Sequence, residues 1–228
     1  MPVTTVQQQS LNAPEIVALL AKSAGPIIFD ACTFEGLELS RLPLNGCEFS
    51  SCVMSDCSFT GAFLRESRWI RCRAGRTRFE AADLVDAEFI DCDLNNTTWR
   101  RAKVSAVLFK GCKLTGADFD NAGSLVPPRF EQTLLVGANL RRMSFRKSQL
   151  RQLDMSEADL SGCDFRDACF EGGSLRNARM ALALFDGCDL RGVDLGGLTL
   201  ADWRLLKGAT ISARQAADLL SEYGVKVV

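Results

Sequence analysis

Apolar residues recur at every fifth position along most of this 228-residue chain. A first run of these central positions extends from Phe29 to Phe119, and a second run, shifted by one residue, extends from Leu125 to Leu205. A period of five fits neither the α-helix, at about 3.6 residues per turn, nor the two-residue period of a strand, so the backbone must turn after every few residues. The pattern therefore predicts an all-β solenoid with short sides and frequent corners.

A second column of inward-facing residues is expected two positions before each centre. These residues are mostly small, as in Ala82-Asp83-Leu84, and glycine often follows two positions after the centre. Large and small inward positions thus alternate along the chain. This alternation predicts a narrow interior in which each coil covers the next, as in other repeat proteins.

The motif resembles that of the pentapeptide-repeat family, whose consensus is written A(D/N)LXX. The resemblance implies a right-handed quadrilateral β-helix with four pentapeptides per coil. The two runs of centres fill about nine such coils, and helix signals predict short capping helices at both ends. Residues twenty apart then lie above one another. On this basis Phe49, Trp69 and Phe89 are expected on one wall of the interior, and Phe59 and Phe79 on another.

Helix signals at the two ends divide the chain into three segments. Residues 1–26 form an N-terminal segment in which Asn12 predicts the cap of a short helix. The β-helix is expected over residues 27–207, with a register slip near 121–128. Residues 208–228 predict a second helix and an apolar tail. Helical caps suit a solenoid because its terminal coils would otherwise expose unpaired strand edges.

The predicted C-terminal helix is more apolar than a simple lid requires. An amphipathic helix with an apolar tail can also form a dimer surface, and two-fold homodimers are common. The tail is similar to the C-terminal dimerisation helix of the Qnr and MfpA subgroup, pentapeptide-repeat proteins that protect DNA gyrase. The residues expected at a homodimer interface are Ala216, Leu219, Leu220, Tyr223, Val225 and Val227.

Composition and charge narrow the class of function. The formal net charge of -1 gives no bulk reason to expect binding to nucleic acid or to an anionic membrane. The polar start of the chain does not resemble a secretory signal, so a cytoplasmic protein is expected. Histidine is absent, which removes the usual general base and the commonest metal ligand. With no phosphate-binding glycine motif and no nucleophile beside a base, the sequence predicts no enzyme, no cofactor and no metal site.

Ten cysteines raise the question of a zinc or disulfide site. All but Cys169 occupy the small inward column. Free cysteine packs like a small apolar residue, whereas zinc needs a tetrahedral cluster that a column with one residue per side does not supply. Packing is therefore the favoured interpretation, with metal or redox use as the alternative. The inward cysteines are Cys32, Cys47, Cys52, Cys57, Cys72, Cys92, Cys112, Cys163 and Cys188.

A cluster of arginines between Arg65 and Arg78 could be interpreted as a nucleic-acid patch. The twenty-residue offset instead alternates opposite charges along the stack, as in the series Glu48, Arg68 and Glu88. Opposite charges on adjacent strands contribute about 0.2 to 1 kcal/mol per pair. A role in coil stacking is therefore favoured over a binding patch.

The resemblance to the Qnr and MfpA subgroup implies a non-catalytic protein. It would bind a bacterial type II topoisomerase, DNA gyrase or topoisomerase IV, and protect it from quinolones or a peptide gyrase poison. Two features differ from that subgroup. The charges nearly cancel, and a one-residue slip stands where the Qnr branch has long loops, so the chain more resembles the loopless MfpA-like and self-immunity members. The alternative function is a pentapeptide-repeat scaffold with an unrelated partner.

Apolar residues at outward positions mark candidate partner contacts, because exposed apolar clusters often mark interaction sites. Ile70 and Ile90 are expected to stack one coil apart, and the slip disrupts the regular ladder. The partner-binding candidates are Ile70, Ile90, Leu108, Val126, Pro127, Pro128, Leu134 and Val136.

Overall fold

The computed structural model describes residues 4–198, 200–222 and 224–227, apart from the side chains of residues 200, 201 and 222. The chain divides into two compact units, residues 1–129 (unit 1) and residues 130–228 (unit 2). Both are parallel β-solenoids, and together they make about nine turns. The predicted fold class is therefore confirmed.

In unit 1, one side of each coil forms a short parallel strand. From β2 onward, successive strands pair with an offset of twenty residues, and this register places Phe49 beside Trp69 and Trp69 beside Phe89. The prediction of one stacked wall is thus confirmed. The strands are β1 (Thr4–Gln7), β2 (Ile27–Asp30), β3 (Glu48–Ser50), β4 (Arg68–Ile70), β5 (Glu88–Ile90) and β6 (Leu108–Lys110).

The other three sides of each coil pair through single bridges with the same offset, as between Val53 and Arg73, Ser58 and Arg78, or Asp83 and Lys103. At each corner the residue two positions after the centre adopts a left-handed backbone, which explains why glycine is frequent there.

The interior of unit 1 is an interlocked stack of rings. Trp69 lies 4.3 Å from Phe49 and 5.3 Å from Phe89 between ring centroids, along one wall. It also meets Phe59 of the neighbouring wall edge to face, at 5.3 Å and 83°. Ring pairs in this geometry contribute about 0.5 to 1.5 kcal/mol beyond the area that they bury. The rings of each coil therefore contact both the rings of the adjacent coils on the same wall and the rings of the neighbouring wall.

Two buried hydroxyls in the column of small inward residues accept hydrogen bonds from the tryptophans. The indole Nε1–H of Trp69 donates to Ser67 Oγ at 3.0 Å, and that of Trp99 donates to Thr97 Oγ1 at 2.8 Å. Both hydroxyls are almost fully buried. A buried indole needs an acceptor, and the position two residues earlier supplies it.

Unit 2 repeats the plan, and its last two strands are longer, with six residues each. Strands β7 (Arg129–Glu131), β8 (Gln149–Asp154) and β9 (Cys169–Ser174) pair in parallel. Gly173 has a φ of +96°, and a Cβ atom there would lie 2.1 Å from the carbonyl oxygen of Leu153. The longer β9 strand therefore requires glycine at this position.

The slip between the two runs differs from the predicted register. Leu125 was expected as the first centre of the second run, but its side chain is 98% exposed. The regular run instead resumes at Phe130, with Pro128 buried in the small inward position two residues earlier. The Ala106 N–H bonds to a carbonyl 20 residues later, at Val126, whereas the equivalent Asp86 N–H bonds to one 19 residues later, at Ser105. The corner at residues 124–127 therefore contains one extra residue, and a five-residue count through it assigns the wrong side chain to the interior.

The N-terminal end carries the predicted helix, α1 (Ala13–Lys22). Asn12 accepts a hydrogen bond from the Glu15 backbone, and the Glu15 carboxylate accepts one from the Asn12 backbone, which completes a capping box. Strand β1, which pairs with β2, was not predicted, because the helix that follows it breaks the five-residue period.

The repeat stops earlier than predicted at its C-terminal end. A short helix, α2 (Leu200–Trp203), replaces the last expected coil, so residues 200–205 do not continue the repeat and Leu205 is only half-buried. Helix α3 (Ala213–Glu222) follows, capped by Ser212. The Gln215 amide on α3 donates to the carbonyl oxygens of Leu190 and Val193, both at 2.7 Å. Helix α3 therefore satisfies exposed backbone groups at the end of the coils.

Candidate partner-binding surfaces

One candidate surface lies on the strand side of unit 1. Ile70 and Ile90 are paired in register on β4 and β5, and Leu108 pairs with Glu88 on the same side. All three apolar side chains are half-buried. We call Ile70, Ile90 and Leu108 the isoleucine face. The structure brings Ile70 and Ile90 together as direct neighbours, and Leu108 lies on the same side of the next coil, two positions away along the strand and beside Glu88.

Beside the isoleucine face, side chains of opposite charge pair across successive coils. Arg68 contacts Glu48 at 3.3 Å and Glu88 at 3.2 Å, across the coils on either side. A similar pair joins Arg76 to Asp56, with two hydrogen bonds at 2.7 and 2.6 Å. The hydrogen bonds from Arg76 hold the pKa of Asp56 below its usual value. Both arginines are thus engaged in coil stacking, in agreement with the favoured interpretation of the cluster.

Asp83, on another side of the coils, is the most enclosed carboxylate of the described residues, at 8% exposed. It contacts Arg65 of the preceding coil at 3.0 Å and Lys103 of the following coil at 3.3 Å. Burial alone would raise the pKa of Asp83, but the hydrogen bonds from Arg65 and Lys103 outweigh it and hold the pKa below its ordinary value. One carboxylate therefore ties three coils together.

A second candidate surface is the slip. Leu125 is 98% exposed and Val126 is 56% exposed, whereas Pro127 is half-buried. The Val126 backbone N–H donates to Ser105 Oγ at 2.9 Å, and its carbonyl accepts from the Ala106 N–H at 2.9 Å. We call Leu125 and Val126 the slip knob. Two hydrogen bonds anchor this apolar knob to the coil below it.

Two sequence assignments at the slip were wrong. Pro128 was a candidate for partner contact, but its burial removes it from the surface. Leu125 was assigned to the interior, so the most exposed leucine of the described chain was missed. Its neighbours Ser124, Pro127 and Pro128 were the available signal, because serine and proline are typical of loops.

Other exposed apolar residues are scattered over the two units. In unit 2, Leu134 is 42% exposed and Val136 is half-buried, on either side of the buried Leu135. In unit 1, Phe63 is 50% exposed and was not predicted as a surface aromatic. The available signal was an aromatic residue at the polar position directly before the centre Leu64. Isolated surface residues of this kind are common and define no site alone.

The predicted dimerisation residues separate into two groups. Leu219 is buried within its own chain, beside a cleft of about 210 Å³ that Val193 and Leu195 also line, so it does not face outward as expected. Ala216 and Leu220 are half-buried. Val225 and Val227 are about half exposed, at 47% and 53%. Tyr223 lies outside the described residues.

Metal ligands, reactive thiols and membrane-spanning helices are other features that could mark a function. The described residues contain no group of three or more histidine, cysteine, aspartate or glutamate side chains suited to holding a metal ion. Burial raises the pKa of the Cys57 thiol to about 11 and that of Cys163 to about 12, so both thiols are protonated at neutral pH. Within the same residues, no helix is long and apolar enough to cross a membrane.

The twenty-residue register, the four-sided coil and the alternating inward columns together define a pentapeptide-repeat β-solenoid. Family models described as "Pentapeptide repeat region" and "Pentapeptide repeats (8 copies)" match residues 42–119 and residues 129–162 and 163–198, respectively. The chain belongs to the pentapeptide-repeat family. No curated protein sequence matches it significantly.

Solved structures of QnrB1, described as a plasmid-mediated fluoroquinolone resistance protein, are similar to this chain. A trypsin-treated variant of QnrB1 shares 27% identity at a TM-score of 0.77, covering 87% of this chain and 98% of that one. The full-length form shares 25% identity at a TM-score of 0.77, covering 88% and 100%. The similarity to QnrB1 thus includes nearly all of that protein.

Proposed function

We propose that this protein binds a bacterial type II topoisomerase, DNA gyrase or topoisomerase IV, and protects it from fluoroquinolones or from a peptide poison. The observation that carries the proposal is the similarity to the fluoroquinolone resistance protein QnrB1 over almost the whole of both chains. Fluoroquinolones act on type II topoisomerases, so protection of that target is a direct route to resistance. The proposal implies a non-catalytic role in the bacterial cytoplasm.

The charges on this protein nearly cancel. This pattern favours binding through local apolar patches on its surface over binding through a uniformly acidic surface. The net charge is -1, and the best-placed arginines are neutralised by carboxylates on adjacent coils. Electrostatic steering by such a surface is weak. We therefore place the main contacts at the isoleucine face and the slip knob of unit 1. In unit 2, Leu134 and Val136 are secondary candidates.

Activity assays on the poisoned enzymes test the proposal: supercoiling for DNA gyrase and decatenation for topoisomerase IV. DNA gyrase or topoisomerase IV is incubated with DNA and a fluoroquinolone, with and without the purified protein, and a peptide gyrase poison is used in a parallel series. The protein should restore activity in the presence of at least one of the two poisons. Failure to bind either enzyme, measured by surface plasmon resonance, would contradict the proposal.

Matched variants locate the contact. The double substitution Ile70→Glu and Ile90→Glu, and separately Leu125→Glu, should each weaken topoisomerase binding about tenfold or more, because a charge would replace an apolar contact. Val17→Glu on α1 is the control, since Val17 is 49% exposed and lies away from both surfaces in the sequence. Equal binding by all of these variants would remove both surfaces from the proposal.

The homodimer is proposed to form through the C-terminal tail. Val225 and Val227 supply the exposed apolar contacts, and the half-buried Ala216 and Leu220 can contribute at the edge of α3. Val225→Asp combined with Val227→Asp should convert a dimer to a monomer in sedimentation velocity. A wild-type protein that is monomeric at micromolar concentration would contradict this part of the proposal.

The competing function is an interaction scaffold with an unrelated partner. The mixed charge of the surface favours it, because an acidic surface expected of a gyrase-binding mimic of DNA is not present in the sequence. A protein that folds normally but leaves poisoned topoisomerase unprotected would support the scaffold.

A further inference from the structure

Five cysteines of unit 1 form a regular column inside the solenoid. Cys32, Cys52, Cys72, Cys92 and Cys112 recur at intervals of twenty residues and are each at most 1% exposed. We call them the cysteine column. The four later members share one geometry, since each thiol donates to the carbonyl oxygen of the residue 23 positions earlier, at 3.2 or 3.3 Å. Their sulfur atoms therefore point in the same direction in successive coils.

The repeat of the solenoid sets the spacing of these sulfurs. Paired parallel strands lie about 4.8 Å apart, so identical side chains on successive coils repeat at about that distance. A bond from a cysteine sulfur to a metal ion measures about 2.3 Å, so two such bonds in line span about 4.6 Å. The interval expected between neighbouring sulfurs thus matches a cation held between two sulfur ligands.

The thiols of the column interact with one another. Hydrogen bonding with neighbouring thiols lowers the pKa of Cys92 and Cys52, and it raises the pKa of their partners Cys72 and Cys112. Burial raises the pKa of Cys32 at the end of the column, as it does for Cys57, Cys163 and Cys188 elsewhere in the interior. From Cys52 to Cys112, a sulfur that favours the thiolate therefore lies next to one that favours the thiol, so each neighbouring pair can offer a cation one thiolate and one neutral sulfur.

We propose that the cysteine column binds soft monovalent cations of the Cu(I) type, each held in line between the sulfurs of two successive coils. Soft thiolate ligands select such cations. Each cation that binds displaces one thiol proton to solvent and forms a sulfur–metal bond, while the sulfur of the next coil donates a lone pair. One proton leaves for each cation that enters, so the net charge of the interior is unchanged and no oxidant or reductant is needed.

This site differs from the tetrahedral zinc site that the spacing of the cysteines disfavours. Zinc requires about four ligands around one point, and the described residues supply no group of three. A two-coordinate cation requires only two neighbouring sulfurs. Column members have such neighbours, whereas Cys57 has Leu37 and Thr77, which carry no sulfur, at the positions twenty residues before and after it.

The test uses Ag(I) as an air-stable probe. The reduced full-length protein receives Ag(I) in the folded state and, in a second arm, during refolding from guanidinium, and native mass spectrometry counts the bound ions while circular dichroism reports the fold. Five sulfurs in line leave four intervals, so the column should bind four silver ions with release of an equal number of protons. Zn(II) should not bind. Absence of column-dependent loading in both arms would overturn the proposal.

Three alanine variants distinguish a column from independent thiols. Cys72→Ala removes two intervals and should lose two silver ions, Cys112→Ala removes one and should lose one, and Cys57→Ala should lose none. Alanine fills the same inward position in many other coils, as at Ala62 and Ala82, so the variants should fold. A loss of one ion from every variant would show independent thiol binding and refute the column.

Discussion

The two units build their interiors differently on the same five-residue plan. In unit 1, two aromatic walls interlock, and Phe89 meets four rings at centroid distances of 5.2 to 5.9 Å. In unit 2, Phe165 stacks on Phe145 and Phe185 at 5.0 Å and has one tilted neighbour, Phe170. The repeat therefore fixes where a side chain points and leaves open which apolar residue fills the position.

The largest predicted effect tests this difference in ring packing. Phe89→Ala should destabilise the protein by about 3 to 5 kcal/mol, because it empties a buried position and removes four ring contacts. Phe165→Ala should cost less, since it removes three ring contacts. Hydrogen exchange measured by mass spectrometry should locate the loosening in the substituted unit. Equal losses in the free energy of unfolding for both variants would show that the interlocked rings add no stability beyond that of burial.

The next prediction concerns a requirement specific to unit 2. Gly173→Ala should cost about 3 kcal/mol, because it combines left-handed backbone strain with overlap on the Leu153 carbonyl. Gly137→Ala in the same unit is a matched control, since Gly137 is also left-handed but has no atom within 4 Å of the added Cβ. Guanidinium unfolding should show a clearly smaller loss for the control.

A third prediction concerns the buried hydroxyls of unit 1. Ser67→Ala and Thr97→Ala should each cost about 1 to 3 kcal/mol, because the indole N–H of Trp69 or Trp99 would lose its acceptor. Thr77→Ala is the control, because the Thr77 hydroxyl donates to the Met54 carbonyl and serves no indole. A Thr97→Ser variant should retain the stability of the wild type. Similar losses for all three alanine variants would contradict the role of the indole.

The smallest effect concerns ion pairs across and within coils. Asp83→Asn should cost about 1 kcal/mol at neutral pH, since Asp83 joins three coils. Asp164→Asn in unit 2 should cost less, because Asp164 pairs with Arg166 on the same coil.

The pH dependence follows from the lowered pKa of Asp83. A carboxylate with a depressed folded-state pKa stabilises the fold above its unfolded pKa, about 3.9, and loses that contribution as pH falls through the folded value. Chemical unfolding at a series of pH values should therefore show stability declining below about pH 4, and declining less in Asp83→Asn. A variant that retains the full decline would assign the acid sensitivity to other carboxylates.

Much of the interior could be predicted from the sequence. Phe49, Trp69 and Phe89 lie on one wall as expected, because a five-residue period with twenty residues per coil leaves one consistent arrangement. The candidate surfaces were less predictable. Ile70 and Ile90 followed from the same register, whereas Leu125 and Pro128 were assigned to the wrong sides, since the slip breaks the count.

The sequence by itself determined which side chains face inward and which residues stack on successive coils. It could do so because each pentapeptide meets neighbours built on the same pattern, so a local period carries long-range information. Only the tertiary structure decided the exposure of Leu125, the burial of Leu219, the acceptors of the two indoles and the common direction of the column thiols. These depend on extra chain at a corner, on how a terminal helix docks and on side-chain geometry, none of which a repeating pattern specifies.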